Sequence, residues 1–414
     1  MRKFYTAEAV TEGHPDKLCD QIADAILDVC LKNDENSRVA CEVLATKGNI
    51  IVAGEITSAY EPDVFAVVRK VLSDVGYSSE GVTMDTFVHR QSPDIAEAVN
   101  ASKERRGGVS DNQIDWFQGA GDQGVMIGYA CDETKQLMPM PVVLANRIVR
   151  ELSACRQSSY IQGILPDGKA QVTVEYENGK PVRLDSVVVS CQHKEEKDSM
   201  KKEQNLIKQE LEQLKLDSYN SKKEKYVRKL EAEIRKKVLL PALRPLPPDE
   251  ETKIYINPSG RFVCGGLDAD TGLTGRKLMV DSYGSMVPHG GGAFAGKDCS
   301  KVDRSAAYMA RYIAKNIVAA GLASKCQVSL AYAIGVAQPV MVQVDTFGTG
   351  NVCADDCLEL AIPLVFGLTP KQIVDTLRLT RPIFRQTAAF GHFGRKEFPW
   401  EHTDKAEALR NAVI

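Results

Sequence analysis

The sequence predicts a mixed α/β protein built from three domains. Its 414 residues are more than a single domain usually contains. The order helix, β-hairpin, helix is predicted three times along the chain, with no sequence identity worth noting between the copies. This repetition favours an ancient triplication that produced three mixed sheets, each covered by helices on one face.

The predicted elements rest on local signals. Pro15 suits a first helical turn, Gly76 is a typical helix C-cap, and Asn178-Gly179 predicts a tight hairpin turn. The three units comprise helix, hairpin and helix at 12–29, 38–59 and 62–75; at 141–156, 170–190 and 194–240; and at 303–320, 327–346 and 354–366. Short apolar runs predict further strands at 124–130 and 252–257.

Two polar connectors interrupt this pattern. Residues 96–117 have no hydrophobic period, so we interpret them as either disordered or a lid. We prefer a lid because a glycine-rich loop follows at once. Residues 194–225 are dense in Lys and Glu and predict two solvated helices with a break, an insert that is more typical of a surface excursion than of a catalytic element.

Composition narrows the range of possible functions and cellular locations. The net charge of −3 is unlike that of a nucleic-acid-binding protein, and no run is long and apolar enough to predict a membrane helix. The eleven cysteines are scattered, and Cys30, Cys41, Cys155 and Cys264 fall in apolar stretches that predict burial. Buried free thiols are typical of a reducing compartment, so we expect a cytoplasmic protein.

The main candidate site is the loop at 290–298. Four glycines at 290, 291, 292 and 296 allow close approach of a ligand, and the predicted helix after the loop offers free N–H groups to an anion. Lys297, Lys301 and Arg304 add positive charge. The loop nearly matches a P-loop, but Asp298 stands where a Mg²⁺-binding hydroxyl would be. We interpret it as a polyphosphate site that is not a P-loop; the alternative is a flexible surface turn.

Other loops carry acidic and basic residues between glycines. Asp122 lies among three glycines at 119–124, Asp167 and Lys169 lie in a turn, and residues 265–277 combine four glycines with two aspartates and a basic pair. Glu42 and Glu55 alternate with apolar residues, which is most simply the solvent face of a sheet.

The inventory as a whole indicates a magnesium-dependent nucleotide enzyme. Aspartates and lysines recur near the glycine loops, whereas no zinc-type spacing of His and Cys and no Gly-x-Ser-x-Gly motif is present. From the residues alone, a P-loop-type kinase remains an alternative.

Several motifs together resemble the S-adenosylmethionine synthetase (methionine adenosyltransferase) family. The most specific are Gly-Ala-Gly-Asp-Gln-Gly at 119–124 and Gly-Gly-Gly-Ala-Phe-Ala-Gly-Lys-Asp at 290–298. Further matches lie at 11–17, 54–57, 91–95, 256–262, 272–277, 301–308 and 391–395, in family order over almost the whole chain.

The resemblance implies that the sulfur of L-methionine attacks C5′ of ATP and expels triphosphate, which is then hydrolysed to pyrophosphate and phosphate. Charge at the departing oxygen would be met by lysines and two Mg²⁺ per site, and K⁺ would also bind. An inactive, nucleotide-binding homologue is the other hypothesis, but retention of His14, Lys169, Lys297, Lys301 and Asp303 argues against it.

The resemblance also implies residue roles. The catalytic residues would be His14, Lys169, Arg276, Lys297 and Lys301. ATP would be bound by these five together with Asp167, Phe262, Asp270 and Lys277. Methionine would be bound by Glu55, Gln91, Asp122, Asp270 and Lys301. The metal ligands would be Asp16 and Asp303 for Mg²⁺ and Glu42 for K⁺.

The family fold implies α+β architecture with three intertwined βαββαβ-type domains related by a pseudo-threefold. These would cover residues 1–98, 116–263 and 264–401, with the lid loop at 96–117 and the charged insert at 194–225. The family forms homodimers or dimers of dimers whose sites lie between subunits. One departure is the Gly265–Asp270 stretch, which lacks the family's usual proline and one glycine and carries an extra Asp268.

Overall fold

The computed structural model describes residues 2–93, 102–106, 118–195 and 226–413, which form three β-sheets with helices packed against them. The strands are β1 Arg2–Val10, β2 Arg38–Thr46, β3 Asn49–Thr57, β4 Thr83–His89, β5 Gly124–Cys131, β6 Ile164–Glu177, β7 Lys180–His193, β8 Lys253–Ile256, β9 Gly272–Leu273, β10 Lys325–Tyr332 and β11 Met341–Asp345. The longer helices are α1 Pro15–Asn33, α2 Val64–Val75, α3 Met140–Gln157, α4 Val302–Ala319, α5 Asp355–Val365, α6 Pro370–Leu377 and α7 Ala406–Val413.

The three sheets have the strand orders β1-β6-β7-β8, β4-β3-β2-β9 and β11-β10-β5. Most neighbouring strands are antiparallel, whereas β3–β4 and β7–β8 are parallel. This mixture of helices with antiparallel and parallel strands confirms the predicted mixed α+β class.

The predicted hairpins are present as β2–β3, β6–β7 and β10–β11. The second is longer than predicted, since β6 and β7 span 14 residues each. Strands β1 and β4 were not predicted. Both lie at sheet edges. Strand β4 is largely exposed, whereas the burial of β1 is confined to its second half, at Ala7, Ala9 and Val10. Neither strand therefore shows a full run of alternating buried and polar residues, on which the sequence prediction depends.

Two helices lie at the centre of the larger hydrophobic core. Leu18, Ile22 and Ile26 of α1 are fully buried, as are Tyr308 and Ile313 of α4. Both helices also bury charged side chains, which has a cost unless each charge is paired. A second core forms where α3 packs on β1 and β6, and it includes buried residues of β7.

Cys264 corrects a prediction. Cys30, Cys41 and Cys155 are buried as expected, but Cys264 is exposed because it lies in the loop after β8 rather than inside a regular element. All eleven cysteines are free.

Parts of the two connectors lie outside the described residues. Of the predicted lid, Lys103–Arg106 form a short helix. Of the predicted helix at 194–240, residues 226–240 are helical, with a π-helical turn at Arg235–Leu239, whereas 194–195 are not; the rest is not described. Within the described ranges no single helix could span a membrane, although α5 and α6, bent by 76°, pass that test as a pair on length and composition alone.

Candidate active site

The start of α1 places His14 and Asp16 side by side. His14 is the N-cap residue, and its Nδ1 accepts a hydrogen bond of 3.2 Å from the backbone N–H of Asp16. Burial, reinforced by the positive charge of Lys277, lowers the pKa of His14 to about 4. The ring is therefore neutral at pH 7, and because Nδ1 is an acceptor, its proton lies on Nε2.

The segment around β9 binds the N-terminal end of α1 through the carboxylate of Asp16. Asp16 accepts hydrogen bonds from the N–H of Leu273 at 3.0 Å and from Lys277 Nζ at 2.5 Å. Burial favours a raised pKa for Asp16, but these two donors outweigh it and the pKa is lowered. Gly272 is required here, because a Cβ would lie 2.2 Å from the carbonyl oxygen of Pro15.

More charged residues surround this helix end. Arg276 Nη1 lies 3.9 Å from Asp16 Oδ1, and the charges of Lys169 and Asp270 both act on the pKa of His14. Lys169 is half exposed and forms an ion pair with Glu8. We call this set the helix-end cluster, which comprises His14, Asp16, Lys169, Asp270, Arg276 and Lys277.

Asp167 and Phe262 lie at the edge of the helix-end cluster. Buried Asp167 accepts a 2.8 Å hydrogen bond from the N–H of Gly266, and its burial raises its pKa. The negative charge of Asp270 also acts on Asp167. Phe262 is half buried, and a Cβ on Gly265 would lie 2.8 Å from its ring.

The glycine loop at 290–298 forms backbone hydrogen bonds along β2. The N–H of Cys41 donates to Gly296 O at 2.9 Å, and the N–H of Asp298 donates to Val39 O at 3.0 Å. Gly296 has φ 77°, and a Cβ there would lie 1.9 Å from Cys41 O. This position therefore requires glycine.

Two ion pairs lie at the end of this loop, where α4 begins. Lys297 Nζ contacts Asp303, and Lys301 Nζ contacts Asp298. Asp303 is in the first turn of α4, and Gly292 and Gly124 approach its carboxylate closely. We call Lys297, Asp298, Lys301 and Asp303 the loop cluster.

Asp298, which the sequence singled out only as a mismatch to a P-loop, has a structural role. It is fully buried and accepts hydrogen bonds from the N–H groups of Val39 at 2.7 Å and Ser300 at 2.9 Å. Burial favours a raised pKa, but the charges of Lys301 and Arg38 outweigh it and the pKa is lowered. Asp298 thus fixes the loop on β2 as an anion.

The remaining candidate residues lie elsewhere. Glu42 and Glu55 are on the outer face of the β4-β3-β2-β9 sheet, Glu42 exposed and Glu55 half buried with its Oε1 3.5 Å from His89. The backbone N–H of Gln91 donates to Thr57 Oγ1 at 3.1 Å. Asp122 is next to the loop cluster, because the N–H of Gly121 donates to Ser300 O at 3.1 Å.

The two clusters are separate within one chain. Asp24, which binds the N–H of Gly296 at 2.8 Å, is eight residues beyond Asp16 on α1. Eight helical residues span about 12 Å. In the described part of the chain no hydrogen bond or ion pair directly joins a helix-end side chain to a loop-cluster side chain.

Sequence reasoning missed the buried ion pairs that hold the elements of the two clusters in place. Fully buried Lys17 contacts Asp20 at 2.9 Å and Asp281 at 2.5 Å. Arg304 forms a two-bond ion pair with Asp24 and donates to Lys297 O at 3.1 Å. The available signal was the four-residue spacing of Asp16, Asp20, Asp24 and Asp28, which places a stripe of carboxylates along one side of α1.

The side chains of the two clusters indicate how a metal ion could bind. Among the described residues, no group of three or more His, Cys, Asp or Glu side chains could hold a metal ion by itself. Single carboxylates, Asp16 and Asp303, instead lie near lysines at helix N-termini. This arrangement fits an ion such as Mg²⁺, which usually takes one or two protein carboxylates and completes its shell with waters and substrate phosphates.

Two helix N-termini, each with a carboxylate, lysines and a glycine-rich segment, are typical of proteins that bind nucleotides or polyphosphates together with metal ions. Three family models identify the chain further. The N-terminal, central and C-terminal domain models of S-adenosylmethionine synthetase match residues 2–99, 117–262 and 264–402. The chain belongs to the S-adenosylmethionine synthetase family. Its activity is that of a methionine adenosyltransferase, which forms S-adenosylmethionine from methionine and ATP and requires metal ions.

Proposed function

We propose that the helix-end cluster of one chain and the loop cluster of a second copy face each other across a dimer interface and together form the active site. The observation that carries this proposal is the separation of two similar clusters, each with a carboxylate in the first turn of a buried helix. An extended triphosphate is long enough to reach both clusters, and its negative charge would be shared between the basic residues of each cluster and the metal ions held by their carboxylates. The outer face of the β4-β3-β2-β9 sheet supports a dimer, since it exposes two large apolar side chains, Leu44 and Phe87, the latter to 65%.

The polyphosphate would lie among the basic residues Lys169, Arg276, Lys277, Lys297 and Lys301. The N-termini of α1 and α4 would add partial positive charge. Asp16 and Asp303 would hold two Mg²⁺, which supply charge neutralisation at the departing triphosphate. The lysines now paired with these carboxylates would then be released to contact phosphate oxygens.

His14 would act as a neutral hydrogen-bond donor. Its lowered pKa keeps it uncharged, and its Nε2–H is available to the oxygen that leaves C5′. A neutral donor avoids adding a further charge to a region already rich in lysines. The methionine sulfur is nucleophilic as a thioether, so the chain has to position it in line rather than activate it.

The substrates would be positioned by residues around the two clusters. Asp167, Phe262 and Asp270 would contact the adenosine half of ATP. Methionine would lie against Glu55, Gln91, Asp122, Asp270 and Lys301. Glu42, an exposed carboxylate, would bind K⁺.

The same basic site would hydrolyse the triphosphate to pyrophosphate and phosphate before the product leaves. The buried free cysteines support a cytoplasmic location. We propose three domains covering residues 1–98, 116–263 and 264–401, with an assembly that is a homodimer or a dimer of dimers.

Product analysis tests the reaction. The purified chain is incubated with ATP, methionine, Mg²⁺ and K⁺, and products are separated by chromatography. We expect S-adenosylmethionine, pyrophosphate and phosphate in equal amounts. Formation of ADP, or no product, would contradict the assignment. Omitting each ion in turn tests the metal requirement.

Subunit mixing tests the shared site. His14→Asn and Lys297→Ala variants should each have little activity. In a mixed dimer, one site would contain both substitutions and the other neither, so random exchange of equal amounts should restore about a quarter of wild-type specific activity. No recovery after proven exchange would place each site within one chain.

A further inference from the structure

The end of β7 lies directly behind the residues proposed to contact adenosine. Gln192 and His193 are its last two residues, and both are buried. Neither belongs to the helix-end cluster or the loop cluster. Their contacts include Phe262, Val263, Gly265 and Asp167, and the ring of His193 also lies 5.8 Å from that of Tyr226.

His193 is joined to Phe262 by two hydrogen bonds that run in opposite directions. Its backbone N–H donates to Phe262 O at 2.9 Å, and its ring Nε2 accepts from the N–H of Phe262 at 3.2 Å. Its Nδ1 lies 2.9 Å from the carbonyl oxygen of Lys194, which can only accept. The ring therefore carries its proton on Nδ1, and both ring nitrogens are used.

Gln192 contacts Asp167, a second residue that is proposed to contact adenosine. Its Nε2 donates to Val263 O at 3.1 Å, and its Oε1 accepts from the N–H of Asp167 at 3.4 Å. A Cβ on Gly265 would lie 2.8 Å from both the Gln192 side chain and the Phe262 ring, so these groups are packed tightly together. Asp167 in turn accepts from the N–H of Gly266. The contacts thus form a closed ring.

We propose that Gln192 and His193 are positioning residues for the adenosine half of ATP, acting through Asp167 and Phe262. This rests on the proposed function, which assigns Asp167 and Phe262 to adenosine. Among the described residues, neither side chain forms a hydrogen bond with a residue proposed to contact the polyphosphate, so loss of the pair should weaken the use of ATP while leaving polyphosphate chemistry intact. Hydrolysis of added tripolyphosphate, which lacks adenosine, separates the two effects.

The main variant is His193→Phe, which keeps a ring but removes the acceptor for the N–H of Phe262. A buried donor left without a partner should raise KM for ATP on the order of tenfold. We expect KM for methionine and the rate of tripolyphosphate hydrolysis to stay near wild type. In His193→Gln the amide oxygen can replace Nε2 as acceptor, so KM for ATP should largely recover. His402→Phe, at an exposed histidine, is the matched control and should change nothing.

Gln192→Met provides a second variant of similar shape, which decides the question if His193→Phe does not fold. It too should raise KM for ATP selectively. An unchanged KM for ATP, or an equal loss of ATP use and tripolyphosphate hydrolysis, would overturn the positioning role. A wild-type protein that forms no S-adenosylmethionine would refute the proposed function instead, so the two failures are distinguishable.

Discussion

The ion pair between Arg304 and Asp24 is predicted to anchor the glycine loop. Both side chains are fully buried, and Arg304 donates to Asp24 Oδ1 at 2.6 Å and Oδ2 at 2.7 Å. Arg304 also donates to Lys297 O at 3.1 Å, while Asp24 accepts the N–H of Gly296 at 2.8 Å. The pair therefore holds the loop from both sides. The perturbation we choose is Arg304→Met, which keeps a long apolar chain but removes the charge.

The expected cost follows from what Arg304→Met leaves behind. Asp24 keeps the N–H of Gly296 but loses two charged hydrogen bonds in a site without solvent access. Removing one partner of a buried ion pair usually costs about 3–5 kcal/mol, because the remaining charge is uncompensated. Thr387 Oγ1 and Tyr308 Oη also lose a donor, at 3.0 and 3.1 Å. We expect a loss near the upper part of that range.

Urea-induced unfolding at one fixed protein concentration measures this cost, because an oligomer's stability depends on concentration. Replacing both partners, in Asp24→Leu with Arg304→Met, should recover much of the loss, since neither charge of the pair is then left without its partner. Lys70→Met is the matched control: it breaks an exposed ion pair with Asp74 and should have little effect. A loss below about 1 kcal/mol for Arg304→Met, or no recovery in the double variant, would refute the reasoning.

Three further predictions concern pH, packing and thiols. Folding lowers the pKa of His14 from 6.5 to about 4. As the pH falls, the unfolded chain therefore takes up a proton at His14 before the folded chain does. Up to about 3 kcal/mol of stability should be lost between pH 6.5 and pH 4. Denaturation at several pH values should show a smaller loss for His14→Asn, and equal losses would contradict the assignment. Gly272→Ala should destabilise the protein by about 1–3 kcal/mol, since its Cβ would overlap Pro15 O. It should cost more than Gly48→Ala, where the space is open and the cost comes only from the positive φ of 71°. The same cost for both would contradict the packing argument. Exposed Cys264 and Cys357 should react with a thiol reagent well before Cys41, because Cys41 is buried and its burial raises the pKa of the thiol to about 12. Peptide mass spectrometry measures the labelling of each cysteine, and equally fast labelling of Cys41 would contradict its burial.

Local sequence determined most of the element types. The helices α1 and α4 and the three hairpins follow from hydrophobic spacing, Pro15 and turn residues, because these signals act over a few residues. The motif at 290–298 likewise indicated a polyphosphate site and, with 119–124, the family. Strand β4 was missed because it is largely exposed, and β1 because its buried residues are confined to its second half, so neither carries the full alternation that marks a strand.

Only the tertiary structure decided which charges pair. Asp24 and Arg304 are 280 residues apart, and Asp16 and Lys277 are 261 apart, so no local pattern links them. Asp298 shows the consequence: from sequence it was a failed P-loop residue, whereas its burial against β2 makes it the anchor of the loop. Partners for buried charges are chosen by the packing of distant elements, because an unpaired charge has a high cost in the core. The sequence by itself therefore determined the chemistry available to the site, and the fold decided which of those groups support the site and which remain free for substrate.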